Sequence, residues 1–323
     1  MAIPTNLYQR DSLKGAREDL IDKIFNTSPT ETPLTSMFGR ATATSVFHEW
    51  QRDALGAANK DNAMVDGDDA TLDAQVSTDR VGNHLQIFSK KPGVSRRANI
   101  VKKAGRGAEM AYIKAKAMLE LKRDIEAMVV SNNPAVASTT SVAGKSAGLG
   151  VQCYTNTSLA PTGGTTAAWT SGAPTTAPVA GTLRAFTEAL VKTVCQSIYS
   201  NSGQFVEQMV MSPYHKGLFS AFTGIAANRL DVKGKEQGKI VAAADVYVSD
   251  FGAISVVPHY LMAGATDVYL LNSDYIDIAF LDGFQTSPLA KTGDSERVMI
   301  TADCALAVRS SAAQGKISGL IAA

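Results

Sequence analysis

Five groups of residues in this 323-residue chain carry side chains that could do chemistry, and each implies a different kind of site. Gly144-Lys145-Ser146 has the ending of a phosphate-binding loop, in which glycines let backbone N–H groups cradle phosphates while the lysine reaches the terminal one. The upstream glycine such a loop requires is Thr139 here, and Gly148 and Gly150 follow where a helix must start, so a polar loop is the expectation. Asp250-Phe251-Gly252 has the letters of the kinase metal-binding triplet, but no Gly-rich loop and no His-Arg-Asp loop precede it. Lying between two alternating apolar runs, it predicts a hairpin turn. His48, His84, His215 and His259 are isolated, with no second ligand three or four residues away, and surface or interface positions are expected for them. Asp66-Gly67-Asp68-Asp69 clusters carboxylates without the alternating ligands and closing Glu of a calcium loop, which leaves a solvated or Lys/Arg-paired acidic tip. Cys153, Cys195 and Cys304 are odd in number and far apart, so they build neither a disulfide framework nor a local metal clip, and no serine elbow is present. The chemistry points away from an enzyme: no catalytic residue, no cofactor and no metal site is expected.

The elements that carry these residues fit a different role. Lys+Arg 31 against Asp+Glu 30 gives a formal charge of +1, too even for a dedicated nucleic-acid binder. At 45% hydrophobic and 19% charged the chain is globular, and its length predicts two lobes. No run approaches the roughly 18 apolar residues of a spanning helix, so a soluble protein without a membrane partner is expected. Arg10, Asp11, Lys14, Arg17 and Glu18 stand where a signal peptide needs an apolar core, and with the unpaired cysteines they predict synthesis in a reducing cytoplasm.

Along the chain, Pro4, Pro29 and Pro33 break the first forty residues into an arm, with a short amphipathic stretch over Ala16–Phe25. FHEWQRDAL and RVGNHLQIF flank a polar, Asp-rich centre and predict a long projecting hairpin between Ser45 and Gly93. The periodicity over 105–130 predicts a long amphipathic helix with Ala108, Ala111, Ala115, Met118, Ile125 and Val129 on its apolar face. Lys116–Glu120 and Lys122–Glu126 would pair on the other side. Pro134 to Leu183 has Lys145 as its only charge and predicts a surface insertion. Thr182 is a candidate cap for a second helix lined by Leu183, Phe186, Leu190, Val194 and Ile198 and ended by Gly203. The β-rich runs that follow make the class α+β.

Several phrases resemble a family of tailed-phage major capsid proteins with the Hong Kong 97-like fold, in the subfamily of some short-tailed phages. They are Phe47-His48-Glu49-Trp50-Gln51, Val65-Asp66-Gly67-Asp68-Asp69-Ala70, Thr78-Asp79-Arg80-Val81-Gly82-Asn83 and Leu121-Lys122-Arg123-Asp124-Ile125-Glu126. Asp250-Phe251-Gly252 with Val256-Val257-Pro258 and Leu289-Ala290-Lys291-Thr292-Gly293-Asp294 complete the set. The resemblance implies an N-terminal arm over 1–40, an extended loop over 41–92, a peripheral domain over 93–133 and 285–323 with the long helix as its spine, and an axial domain over 134–284 that includes the insertion 134–183. It also implies a structural protein of the virion, made in the host cytoplasm, that forms hexamers and pentamers around double-stranded DNA without gripping it specifically. A portal protein is an implied partner. The type member of the fold begins with a long cleaved scaffolding segment; about forty residues precede the hairpin here, too few for a domain of about 50, so a separate scaffolding protein is expected. The insertion could bind a decoration protein.

Within this reading Phe47, Trp50 and Phe88 are the expected anchors of the hairpin on a neighbouring subunit, and Arg52, Asp53, Lys60, Asp66, Asp68 and Asp69 the expected inter-subunit ion pairs, because aromatic and Arg residues dominate interfaces. Trp50 packing within its own subunit is the competing expectation. Rival readings are an encapsulin-like nanocompartment shell, a β-rich surface adhesin, and a nucleotide hydrolase that would need the failed phosphate loop.

Overall fold

The computed structural model describes residues 24–67, 69, 72, 74–222, 246–291 and 293–322. Asp68 and the arm up to residue 23, including most of the expected amphipathic stretch over 16–25, lie outside the described residues. In chain order, α1 (Pro33–Met37) and β1 (Gly39–Thr42) precede the hairpin strands β2 (Phe47–Arg52) and β3 (Asp79–His84). Next come β4 (Gln86–Lys90), β5 (Gly93–Ser95), α2 (Arg96–Ile100) and the long helix α3 (Glu109–Val130). The middle of the chain holds α4 (Leu149–Gln152), β6 (Asn156–Ser158), β7 (Ala168–Thr170), β8 (Ala173–Thr176), α5 (Glu188–Ser202), β9 (Gln208–Met211) and α6 (Pro213–Ser220). The last elements are β10 (Val246–Ser249), β11 (Gly252–Pro258), β12 (Val268–Leu271), β13 (Ile276–Pro288), β14 (Ser295–Val308) and β15 (Gly315–Ile317).

Two sheets organise these elements. One has five strands in the order β1-β13-β14-β4, with β5 also paired to β14; the other has six, β10-β11-β9-β12-β15-β6. The mixture of helices and sheets makes the fold α+β, as expected. The alternation of side chains along a strand explains how one core serves both sheets. In β14, Val298, Ile300, Ala302, Cys304, Leu306 and Val308 all face the cluster that also holds the buried side of α3. In β12, Tyr269 and Leu271 face that same cluster, whereas Val268 and Leu270 face a second one under α5 and α6. A strand covered on both faces reads as a continuous apolar run, which is what Val268–Leu271 is. The Asp250-Phe251 turn joins β10 to β11 as an antiparallel hairpin, with Ser249 opposite Gly252, as its flanking runs predict.

Three expectations need correction. The long helix starts at Glu109 rather than Gly105, because Gly105 takes φ 74°, a left-handed conformation that interrupts a helix. Its buried face is Met110, Ala117, Leu121, Ile125, Met128 and Val129, while Ala111 and Ala115 are exposed. The alanine-rich first half offers little contrast between faces, so the period was legible and the phase was not. Lys122 does not pair with Glu126, whose side chain is fully buried; Lys116 and Glu120 do approach, at 4.0 Å. The second helix starts at Glu188, not after Thr182. Arg184 is instead held in extended backbone, its N–H donating to the Gly319 carbonyl at 2.7 Å and its guanidinium to the Ser158 carbonyl at 2.6 Å. Gly203 ends this helix as expected, at φ 66°.

The third correction concerns 134–183, expected on the surface. Ala147, Leu149 and Val151 are completely buried, β6 is an edge strand of the six-stranded sheet, and β7–β8 form a hairpin. Residues 137–143 are exposed as expected, whereas 146–153 are packed into the interior. The sheets also redistribute the ends of the chain: Ile276–Phe284 runs in the five-stranded sheet, and β15 belongs to the six-stranded one.

Candidate assembly surface

The hairpin expected over 45–93 is built from β2 and β3, paired antiparallel from Phe47 opposite His84 to Arg52 opposite Asp79. Its base is fixed to the same chain. The Arg52 guanidinium donates to Asp79 at 2.6 Å and to the Tyr154 hydroxyl at 2.8 Å, and lies over the Trp169 ring at 5.6 Å. Burial opposes the charge, but the bonds to Asp79 and Tyr154 outweigh it and hold Arg52 above its ordinary range. On the other strand the Gly82 N–H donates to the Gly172 carbonyl at 2.8 Å, so β3 rests on the β7–β8 turn. Asn83 is fully buried behind it: its Nδ2 donates to the Ser146 hydroxyl and to the Ala147 and Leu306 carbonyls, and its Oδ1 accepts from the Ala147 N–H. Gln152 joins the same group, donating to the Leu306 carbonyl and accepting from the Val308 N–H. These amides stitch the hairpin base and the 134–183 segment onto β14.

Beyond the base, every described residue from Asp53 to Thr78 is exposed and none belongs to a helix or strand. Leu55 and Leu72 are 98% and 101% exposed, and Met64, Val65 and Val76 stand out beside them. Asp53, Lys60, Asp66 and Asp69 lie on this tip as expected, with Lys60 paired to Asp61 at 2.7 Å and Asp53 accepting from the Ala54 N–H.

The expected anchors divide. Phe47 packs on His84 with ring centroids 4.5 Å apart, and Trp50 is half-buried opposite Val81, its indole N–H enclosed. Phe88 is corrected: it is buried in the core cluster shared by α3 and β14 and has no surface left for a neighbour. Arg52, too, spends its donors within its own chain.

Sequence reasoning missed the buried polar groups that brace this surface. Glu126 and His259 face each other in the core, and Lys316 reaches Asp267 at 3.3 Å and the Gly150 carbonyl at 2.9 Å, both ions nearly inaccessible. His215 and His259, both expected at surface or interface positions, are fully buried, His215 between the Ser212 hydroxyl and the Ile321 carbonyl. The one signal available was the Ser212-Pro213 helix start, which places His215 where Ser212 caps its N–H. No spacing rule joins Glu126 to His259 or Lys316 to Asp267 across so much chain. The cysteines are buried, and burial pushes the thiols of Cys153 and Cys304 up to about 12 and that of Cys195 to about 11, which removes them as nucleophiles at neutral pH. Among the described residues no three His, Cys, Asp or Glu side chains cluster as a metal site, and no helix is long and apolar enough to cross a membrane.

A braced hairpin, a long helix across a five-stranded sheet and a second, six-stranded sheet define a capsid shell protein of the Hong Kong 97-like class. The solved capsid asymmetric unit of cyanophage A-1(L) superposes with a TM-score of 0.66 at 15% identity, over 98% of this chain and 99% of that one. The holo-SrpI encapsulin complex of Synechococcus elongatus PCC 7942 shares the fold more distantly, with a TM-score of 0.54 at 10% identity over 94% and 92%. In sequence, the major capsid protein of Escherichia phage Phieco32 is 34% identical over 131 residues, 41% of this chain and 37% of the length of that relative. Residues 3–321 match the SU10 major capsid protein family, and the chain belongs to it.

Proposed function

We propose that this chain is the repeating subunit of a phage head, assembling into hexamers and pentamers that close around double-stranded DNA. The observation that carries this is the hairpin tip: apolar residues such as Leu55 and Leu72 are displayed on a segment with no core of its own, while the base is clamped in place. A monomer gains nothing from that arrangement, whereas burying such side chains on a neighbour yields about 25 cal/mol per Å² of apolar surface. The tip and whatever receives it are different surfaces, so the contact is head-to-tail and closes into rings. The five-stranded sheet with α3 is then the peripheral domain and the six-stranded sheet the axial one. A scaffolding protein, a portal and a decoration protein are the partners of the same reading, in a virion made in the host cytoplasm.

Electron microscopy of the purified chain, alone and with its scaffold, tests this. Capsomers, tubes or closed shells are expected. A chain that stays monomeric under every assembly condition would overturn the proposal, and shells from infected cells filled with protein instead of DNA would move it to the encapsulin reading.

A further inference from the structure

Three side chains from distant parts of the chain meet where α3 gives way to the six-stranded sheet. Asn132 lies two residues beyond α3, Asp267 stands immediately before β12, and Lys316 lies within β15. Lys316 is 1% exposed and Asp267 3%. The Lys316 Nζ lies 3.3 Å from Asp267 Oδ2 and 3.3 Å from Asn132 Oδ1, and it donates to the Gly150 carbonyl at 2.9 Å. The Asn132 Nδ2 donates to the same Asp267 oxygen at 2.8 Å, which settles the way the amide faces. Its Oδ1 turns to Lys316 and also accepts from the buried Tyr269 hydroxyl at 3.3 Å. A Cβ on Gly150 would collide with that oxygen, so glycine is what lets the amide sit against the lysine. A buried ion pair needs only a lysine and a carboxylate. This one also holds an amide carbonyl against the amine, and one carboxylate oxygen touches both nitrogens.

We infer that Lys316 and Asn132 join in an isopeptide bond within one chain, with Asp267 carrying the protons. The amine attacks Asn132 Cγ, the carbon bonded to the oxygen 3.3 Å away, so a small rotation brings nucleophile and carbon together. Attack needs Nζ without its ammonium proton. Asp267 accepts that proton, turning a buried ion pair into a neutral pair that a water-poor site tolerates. As the Nζ–Cγ bond forms, the carbonyl π electrons move onto Oδ1, where the Tyr269 hydroxyl donates. When they return, the Cγ–Nδ2 bond breaks, and Asp267 passes its proton to the departing nitrogen 2.8 Å away. Nζ gives up a second proton to Asp267, and the ammonia carries it off as ammonium. One lysine ammonium and one amide thus yield one secondary amide and one ammonium ion, with no oxidant or co-reactant. Asn132 is itself exposed, which gives the leaving nitrogen a way to solvent. The bond closes a loop over a sequence separation of 184 and ties the end of α3 to β15; a cross-link over so long a loop constrains the unfolded chain.

Mass spectrometry of the purified, denatured full chain tests it. The wild type is expected to be lighter than its encoded sequence by one ammonia, once any loss of Met1 is counted. Trypsin should release a branched peptide that joins residues 124–145 to 310–323 with Lys316 uncleaved. Lys316→Arg, Asp267→Asn and Asn132→Ala should each show the full mass of its own sequence and no branched peptide. The wild-type peptide map decides whether the bond exists without reference to how any variant folds. A wild-type chain at full sequence mass, with the two peptides separate, would overturn the proposal. A loss of ammonia that persists in Lys316→Arg would place a succinimide at Asn132 and overturn it as well, and a branched peptide that still forms in Asp267→Asn would overturn the part assigned to Asp267.

Discussion

The Glu126 carboxylate meets the His259 imidazole at 2.8 Å, Oε1 to Nε2, with both side chains wholly enclosed. The same carboxylate accepts the N–H groups of Leu34 at 2.8 Å and Thr35 at 2.9 Å, so it caps the first turn of α1. His259 Nδ1 accepts from the Leu261 N–H, which assigns the ring proton to Nε2, facing Glu126. One side chain on α3 thereby ties the segment that precedes β1 to the segment that leaves β11.

Removing one partner of such a buried pair strands the other, at a cost of about 3–5 kcal/mol. Glu126→Leu is therefore expected to lose stability on that scale, and Glu126→Gln, which keeps an acceptor for one N–H, to lose less. Urea unfolding of the unassembled chain measures both. A Leu variant as stable as wild type would mean that the carboxylate does not hold these three segments together.

Arg52 makes a prediction about order more than stability. Lysine at this position keeps a charge for Asp79 but loses the planar fork that reaches Tyr154 and stacks on Trp169. Arg52→Lys should accelerate amide exchange in β2 and β3 by about tenfold, matching roughly 1.4 kcal/mol of lost local protection, and should leave β13 and β14 unchanged. Equal protection in β2 and β3 would show that the strand pairing alone secures the hairpin base.

Much of this architecture is legible in the sequence alone. The hairpin, the long helix and the Asp250-Phe251 turn were readable because each has a local period or a turn residue that owes little to the rest of the chain. The acidic tip was readable because six aspartates in one short segment cannot be buried. What stayed hidden depends on long-range contact. Lys122 and Glu126 have the spacing of a surface ion pair, and only the packing of His259 against α3 turns Glu126 inward. Phe88 and Trp50 look alike as hairpin aromatics, yet β4 is hydrogen-bonded to β14 and its Phe is core, while β2 pairs among the described residues with β3 alone. The segment 134–183 looked like surface because small residues without charge carry no periodic signal, although the same smallness lets Gly150 pack against Asn132.

Acid should destabilise the fold through its histidines. Burial lowers the pKa of His215, working against the Ile321 carbonyl and Asp267; burial also lowers His84, and burial with Arg309 lowers His48, against Asp277. The folded state then holds these rings neutral, and the unfolded chain binds protons first, below its ordinary value of 6.5. Their contribution is fully present above pH 6.5 and is lost as pH falls through 6.5 toward the lower folded values. Urea midpoints should stay level from pH 8 to 7 and decline as pH falls below 6.5. His215→Gln should flatten that decline, and an unchanged pH profile would remove His215 from the account.

The hairpin base also predicts a steric lesion. A Cβ on Gly82 would sit 2.5 Å from the His48 carbonyl oxygen and 2.9 Å from the Phe47 ring, inside contact distance of backbone that cannot yield without separating β2 from β3. Overpacking of this kind costs about 1–3 kcal/mol. Gly82→Ala should therefore lower the melting temperature, and because the base aims the tip, it should also reduce shell yield. Gly56, on the tip, has nothing within 4 Å of its own Cβ position, so Gly56→Ala provides the control: it should leave the melting temperature unchanged. If Gly82→Ala melted at a lower temperature yet assembled at full yield, the base would be a structural joint only, and the direction of the tip would be set by the neighbouring subunit that receives it.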